Sequence, residues 1–220
     1  MRPPLRLVLP AASLLFALIL VLAIVLGDSP GGSSSHSATQ SGGFDGAAFP
    51  AGVRAHDFTL SDQRGRSVSL NAYRGKVVAL AFLSSDCRAC VLVAQQVRGA
   101  LDELEATRHI PKNAPGVTVL GMPTLFVSTD PQADTTASVK RFLNETSLTG
   151  RVEYLAGTPA QLRPVWHAYG IPPASAGKAA SEAATTVLLI DRSGAERVGF
   201  GLEQITPEGL AHDIRLLRAG

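Results

Sequence analysis

The sequence predicts an α/β fold in which a mixed β-sheet is covered by helices on both faces. Three observations carry that expectation. KVVALAFL, Lys76 to Leu83, is a near-continuous apolar run ending in SSD, as a central strand buried on both faces would be. CVLVAQQVRGALDELEATR, Cys90 to Arg108, then places apolar side chains at helical spacing with acids and bases on the outer face. The alternation of strand and helix recurs after it, and the chain closes on a hairpin signal and an amphipathic helix.

Each element can be justified in order. HDFTL and RSVSL alternate polar and apolar residues around the turn DQRG, as two short paired strands would. After the first strand and helix, VTVLGMPTLFVSTDP is strand-like and ends in an Asp-Pro turn, and TTASVKRFLNE is helical with Lys140, Arg141, Asn144 and Glu145 turned to solvent. RVEYL and TPAQLRPVWHAYG supply another strand and helix. ATTVLLID and ERVGFG flank the turn RSG as an antiparallel hairpin, and TPEGLAHDIRLLRA is the closing helix. This globular part spans residues 51–220.

A chain of 220 residues holds one domain of ordinary size plus an appendage, and such a domain buries a core without disulfide staples. A net charge of +2 shows no basic excess, and aromatic residues make up only 5%, so a nucleic-acid partner is not expected.

The N-terminus points to a membrane. Residues 7–27, LVLPAASLLFALILVLAIVLG, carry no charged side chain, and as a helix they would span about 30 Å of hydrocarbon. Arg2 and Arg6 precede the run and Asp28 follows it. The positive-inside bias therefore leaves residues 1–6 in the cytoplasm and everything after Gly27 outside, in a single-pass arrangement. The alternative is a cleaved leader, but the run exceeds the usual apolar stretch of about 7–15 residues and no Ala-x-Ala site ends it. Residues 28–50 are rich in Gly and Ser and read as a flexible tether, with His36 solvated within it.

The only two cysteines stand in DCRAC, at Cys87 and Cys90, where the central strand turns into the first long helix. In open α/β sheets that edge, beyond the carboxyl ends of the strands, is where chemistry is placed. A helix N-terminus offers unpaired N–H groups and partial positive charge, which favour a thiolate over a thiol. Cysteines in such Cys-x-x-Cys settings have pKa values lowered from about 8.5 into the range of about 3.5 to 7.5. Cys87 is thus the expected nucleophile and Cys90 the resolving residue. Arg88 favours the thiolate further and Asp86 opposes it.

Here the residues resemble a known family. HDFTLSDQRGRSVSLNAYRGKVVALAFLSSDCRAC resembles the opening of membrane-anchored thioredoxin-like proteins, including the redoxins of cytochrome maturation and the Sco/SenC family. VSTDPQADTTASVKRFL resembles the Sco/SenC signature Val-x-x-Asp-Pro-x-x-Asp-Thr, YLAGTPAQLRPVWHAYGI its segment between the second and third core strands, and TTVLLIDRSG the strand and turn after its copper-binding histidine. The resemblance covers about residues 51–218. It implies a thioredoxin-like three-layer fold with a mixed central sheet and an N-terminal β-hairpin, here preceded by one transmembrane helix.

The departures from the family bear on function. Sco proteins that handle copper carry Cys-x-x-x-Cys and a third ligand, a histidine, whose place falls at or near Ala183; no histidine lies between His167 and His212. The cysteine spacing is that of thioredoxin, so both changes point from metal transfer toward thiol redox chemistry. Cys87 and Cys90 alone still suffice for a soft Cu(I) ion, so copper stays as the weaker expectation and no cofactor is required. A closed zinc site needs about four ligands and is disfavoured. The cis-proline usual in thioredoxin-like enzymes would stand near Thr185, where there is none, and GMPT, Gly121 to Thr124, reads as part of the second core strand instead. The buried acid of thioredoxin would fall near Ala81 and is absent.

Other residues carry weaker expectations. Asp130 at a strand end is a candidate for assisting proton transfer, with a turn or N-cap role favoured. His167 and Trp166 are candidates for a partner groove, with ordinary helix packing favoured. His109 falls at the end of the long helix remote from Cys87, and Pro172, Pro173 and the residues after them form a loop beside the site or a flexible insertion. The leading expectation is a membrane-tethered extracytoplasmic thiol–disulfide oxidoreductase acting on dithiol or disulfide proteins. The alternatives are a Sco-like copper chaperone or assembly factor for a respiratory cytochrome oxidase, and a degenerate redoxin fold that only binds.

Overall fold

The structure is a computed structural model that describes residues 43–106, 122–172 and 185–220. The predicted span 7–27, the N-terminal part of the tether, His109, Pro173 and Ala183 lie outside the described residues. Among the described residues no helix is long and apolar enough to cross a membrane.

The strands are β1 (Ala47–Ala48), β2 (Thr59–Asp62), β3 (Ser67–Ser69), β4 (Val78–Leu83), β5 (Thr124–Ser128), β6 (Glu153–Ala156), β7 (Thr186–Ile190) and β8 (Glu196–Gly201). They form one mixed sheet in the order β1-β8-β7-β4-β5-β6-β2-β3. β4, β5 and β6 run parallel, which the intervening helices permit, while β7 pairs antiparallel with β4 and β8 antiparallel with β7. All six residues of β4 are buried, as its unbroken apolar run requires. The expected α/β class, its mixed sheet and the β2–β3 hairpin are therefore present.

Among the described residues four α-helices cover the two faces: α1 (Arg88–Ala106), α2 (Thr136–Glu145), α3 (Pro159–Ala168) and α4 (Pro207–Ala219). Ala79, Ala81 and Leu83 point to one face, where Val97 and Leu101 of α1, Phe142 of α2 and Ile214 of α4 join them in one core. Val78, Leu80 and Phe82 point to the other, against Leu162, Val165 and Trp166 of α3. This is the period of two along a strand converted into two cores. Fully burying each Val, Leu, Ile or Phe among them stabilises by about 1.5–3 kcal/mol. Thr158 caps α3 and forms a reciprocal pair with Gln161, so two backbone donors at that end are satisfied. Lys140, Arg141, Asn144 and Glu145 face solvent on α2, and His167 does so on α3.

One boundary needs correction. The stretch 28–50 is expected as a tether, yet from Gly43 the chain packs on the domain, and β1 pairs antiparallel with β8. The reason lies in α4. Asp213 is fully buried and its carboxylate accepts the backbone N–H of Asp45 at 2.9 Å and of Gly46 at 3.0 Å. Gly46 must be glycine there, because a Cβ would lie 2.4 Å from Val198 Cγ1. Apart from Phe44 and Phe49, which pack singly on the two cores, the segment is held by its backbone and shows no apolar alternation, so composition alone reads it as linker.

One buried acid gives a testable pH dependence. Glu196, at the start of β8, is 8% exposed, and burial pushes its carboxyl above the ordinary value of 4.5, with His56 pulling it back. A carboxyl raised in the folded state contributes full stability below its unfolded pKa and loses it as pH rises through the folded value. Glu196→Gln should therefore raise the melting temperature at pH 7 by a few degrees, at about 2–4 °C per kcal/mol for a domain of this size, and the gain should vanish near pH 4. Thermal unfolding of both proteins across that pH range checks it.

Candidate functional site

The site begins where β4 stops. Leu83 is its last residue, Ser84, Ser85 and Asp86 turn the chain, and Cys87 stands immediately before α1. The sulfurs of Cys87 and Cys90 are joined in a disulfide, with their Cα atoms 5.1 Å apart. The spacing of three residues produces this directly, since one helical turn brings position 90 back over position 87. Cys87 Sγ also accepts the backbone N–H of Cys90 at 3.0 Å, the bond that an N-cap side chain makes. One otherwise orphaned helix donor thus points at the first sulfur.

The two sulfurs differ in their surroundings. Cys90 is 1% exposed and Cys87 6%, and both lie in the core under α1. Cys90 Sγ accepts the backbone N–H of Ser84 at 3.3 Å and lies 3.7 Å from the hydroxyl of Thr185. Thr185, one residue before β7 and 1% exposed, is thus brought to the cysteines. Asp86 and Arg88 are exposed on either side of Cys87.

Asp130 is not brought into this group. Its carboxylate accepts the backbone N–H of Gln132 at 3.0 Å and of Ala133 at 3.2 Å, so it serves the turn after β5. Pro123, in GMPT, accepts from Ala79 N through its carbonyl just before β5 starts. That is the edge opposite the cysteines, consistent with GMPT belonging to the second core strand. Trp166 is buried and donates to the carbonyl of Ser128 at 2.8 Å, which is helix packing.

One residue beside the site was not singled out by sequence reasoning. Asp134, 6% exposed, accepts from Ser84 Oγ at 3.2 Å, from Ser85 N and Oγ at 2.7 Å each, and from Ser128 Oγ at 2.5 Å. No acid stands near Ala81, where the resemblance to thioredoxin would put one, and a buried carboxylate reaches the cysteines' turn from the loop after β5 instead. Next to it, burial pushes the Tyr154 hydroxyl well above its ordinary pKa and the charge of Asp134 adds to the rise, so Tyr154 stays a donor, to the carbonyl of Leu83 at 3.4 Å. The signal was present as the second Asp of VSTDPQADT.

Among the described residues, no histidine or carboxylate joins the two sulfurs in a group able to hold a metal. The one cluster of that kind is Asp45, His212 and Asp213, where Asp213 holds the β1 segment.

The SCO1/SenC family model matches residues 49–218, more than half of the chain. The chain belongs to the SCO1/SenC family. Its fold is similar to that of Bradyrhizobium japonicum ScoI with copper bound, at 24% identity and a TM-score of 0.55, covering 75% of this chain and 99% of that one. Yeast Sco1 is similar at 18% identity and a TM-score of 0.59, over 76% and 95%. The thioredoxin domain of the thiol-disulfide oxidoreductase BVU-2223 from Bacteroides vulgatus is similar at 18% and 0.55, over 76% and 97%. The sheet is thus the thioredoxin-like one that the resemblance implied. Comparison with curated proteins gave no match.

Proposed function

We propose that this member of the family is a membrane-anchored, extracytoplasmic thiol–disulfide oxidoreductase. The observation that carries the reading is the Cys87–Cys90 bond at the mouth of α1, with one backbone N–H directed at each sulfur. Peptide N–H groups and the helix terminus favour the thiolate that opening this bond creates.

In the reduced protein the Cys87 thiolate attacks one sulfur of a partner disulfide. The new bond joins Cys87 to the partner, and the partner's second sulfur leaves as a thiolate and takes a proton from water. The Cys90 thiolate then attacks the Cys87 sulfur, forming the intramolecular disulfide and releasing the partner's first sulfur. The partner disulfide is reduced by two electrons and the cysteine pair is oxidised by two. The reverse sequence oxidises a partner dithiol. Asp86 and Arg88 flank the attacking sulfur with opposite charge, and the hydroxyl of Thr185 lies beside the resolving one.

A second reading, copper handling for oxidase assembly, is favoured by family membership and by the relative whose structure holds copper. The described donor set fits it poorly: among the described residues two sulfurs with a neutral hydroxyl nearby offer a soft Cu(I) ion two ligands and Cu(II) no imidazole.

The test is the reaction of the reduced full-length chain with an aromatic disulfide, 5,5′-dithiobis(2-nitrobenzoate). Two coloured thiolates per chain should be released in two phases, capture by Cys87 and then collapse by Cys90, with capture at pH 7 at least tenfold faster than in the denatured chain. Capture no faster than in the denatured chain would refute the reading.

A further inference from the structure

We propose that Asp134 is a positioning residue for Cys90, resting on the reading of the pair as a thiol-exchange centre. Its carboxylate clamps the Ser84–Ser85 turn so that the Ser84 N–H is aimed at the resolving sulfur.

Three links make the clamp. Asp134 Oδ1 takes the Ser84 hydroxyl at 3.2 Å and both donors of Ser85 at 2.7 Å. Its Oδ2 takes the Ser128 hydroxyl at 2.5 Å, tying the same carboxylate to the end of β5, the strand parallel to β4. The backbone N–H of Asp134 is itself fixed to the Asp130 carbonyl at 2.9 Å. The carboxylate thus stands on a rigid turn and reaches back across the sheet edge to the residues between β4 and Cys87. Ser84 Oγ donates to Asp134 and accepts from Asp86 N at 3.3 Å, which leaves its own N–H facing Cys90 Sγ at 3.3 Å.

A donor held in place matters because Cys90 changes charge during the reaction. Its sulfur is an uncharged disulfide member in the oxidised protein and a thiolate when it attacks Cys87. A hydrogen bond to a charged acceptor is about twice as strong as one to a neutral acceptor, so a fixed N–H favours the attacking form. A loose turn would have to be ordered at the moment of attack. Three of the carboxylate's four donors come from the two residues between β4 and Asp86.

The clamp acts on collapse and leaves capture alone, because Cys87 draws its donor from α1 itself. With the aromatic disulfide, Asp134→Ala should slow the second phase about tenfold and leave the first within about twofold. In glutathione buffers the variant's dithiol–disulfide equilibrium should move about tenfold toward the disulfide, which is about 30 mV. Asp134→Asn keeps the acceptor facing the serines and should return collapse to within about threefold of wild type. A merely structural role would lower the melting temperature of Asp134→Ala and move neither the second phase nor the equilibrium; that result overturns the proposal. If Asp134→Ala does not fold, Ser84→Ala carries the test, since it cuts the bond from Asp134 to the residue whose N–H faces Cys90. It should slow collapse at least threefold, and wild-type collapse in it overturns the proposal. Absence of fast capture in the wild-type chain would instead bring down the thiol-exchange reading, and this proposal with it.

Discussion

Cys90→Ser should accumulate a covalent complex with its partner protein that disappears on reduction, whereas Cys87→Ser should trap almost nothing. The asymmetry follows from the positions of the two sulfurs. Cys87 precedes α1 and receives a helix N–H at 3.0 Å, while Cys90 is 1% exposed and sits one turn inside. A free cysteine is only a few per cent thiolate at pH 7, and a helix-terminal one of lowered pKa is largely thiolate. Attack by Cys87 therefore survives loss of Cys90, but the mixed disulfide has no internal thiolate to resolve it. Gel shift and mass analysis of the trapped species in a membrane extract, with and without reductant, read the outcome. Trapping by Cys87→Ser and not by Cys90→Ser would make Cys90 the nucleophile and reverse the assignment.

The second large expected effect concerns copper. Cu(II) is held well by imidazole beside sulfur, and the resemblance puts the family's histidine at or near Ala183, in a stretch from 168 to 211 that holds no histidine. The sulfurs' described polar neighbours are the N–H groups of Ser84 and Cys90 and the Thr185 hydroxyl, and an N–H group cannot ligate a cation at all. The reduced protein should thus retain well below one Cu(II) per chain. Cu(I) asks for less, since two thiolates satisfy a soft ion, and any that binds should be removed readily by a chelator.

The parts of the fold that rest on side-chain periodicity could be read from the sequence, and those that rest on the backbone could not. β4 and α1 are legible because burial on two faces and burial on one stripe leave different patterns in KVVALAFL and CVLVAQQVRGALDEL. β1 and the residues before it are illegible because the Asp45 and Gly46 amides on Asp213 and the pairing with β8 hold them, and Gly46 reads as linker composition. The cysteine pair announces itself by spacing. Thr185 could be placed by counting back along β7. Asp134 could not be found that way: its partners lie about fifty positions earlier, at Ser84 and Ser85, and only the parallel pairing of β4 with β5 brings the two turns together.

Copper retention separates thiol exchange from metal transfer more directly than any other measurement. The full-length protein, reduced and equilibrated with one equivalent of Cu(II) or Cu(I), is desalted and its metal counted, alongside Cys87→Ser. The account predicts almost no Cu(II), Cu(I) that a chelator strips, and a cysteine pair that cycles between dithiol and disulfide. One Cu(II) per chain, lost in Cys87→Ser, would contradict it and make copper transfer the function of the site.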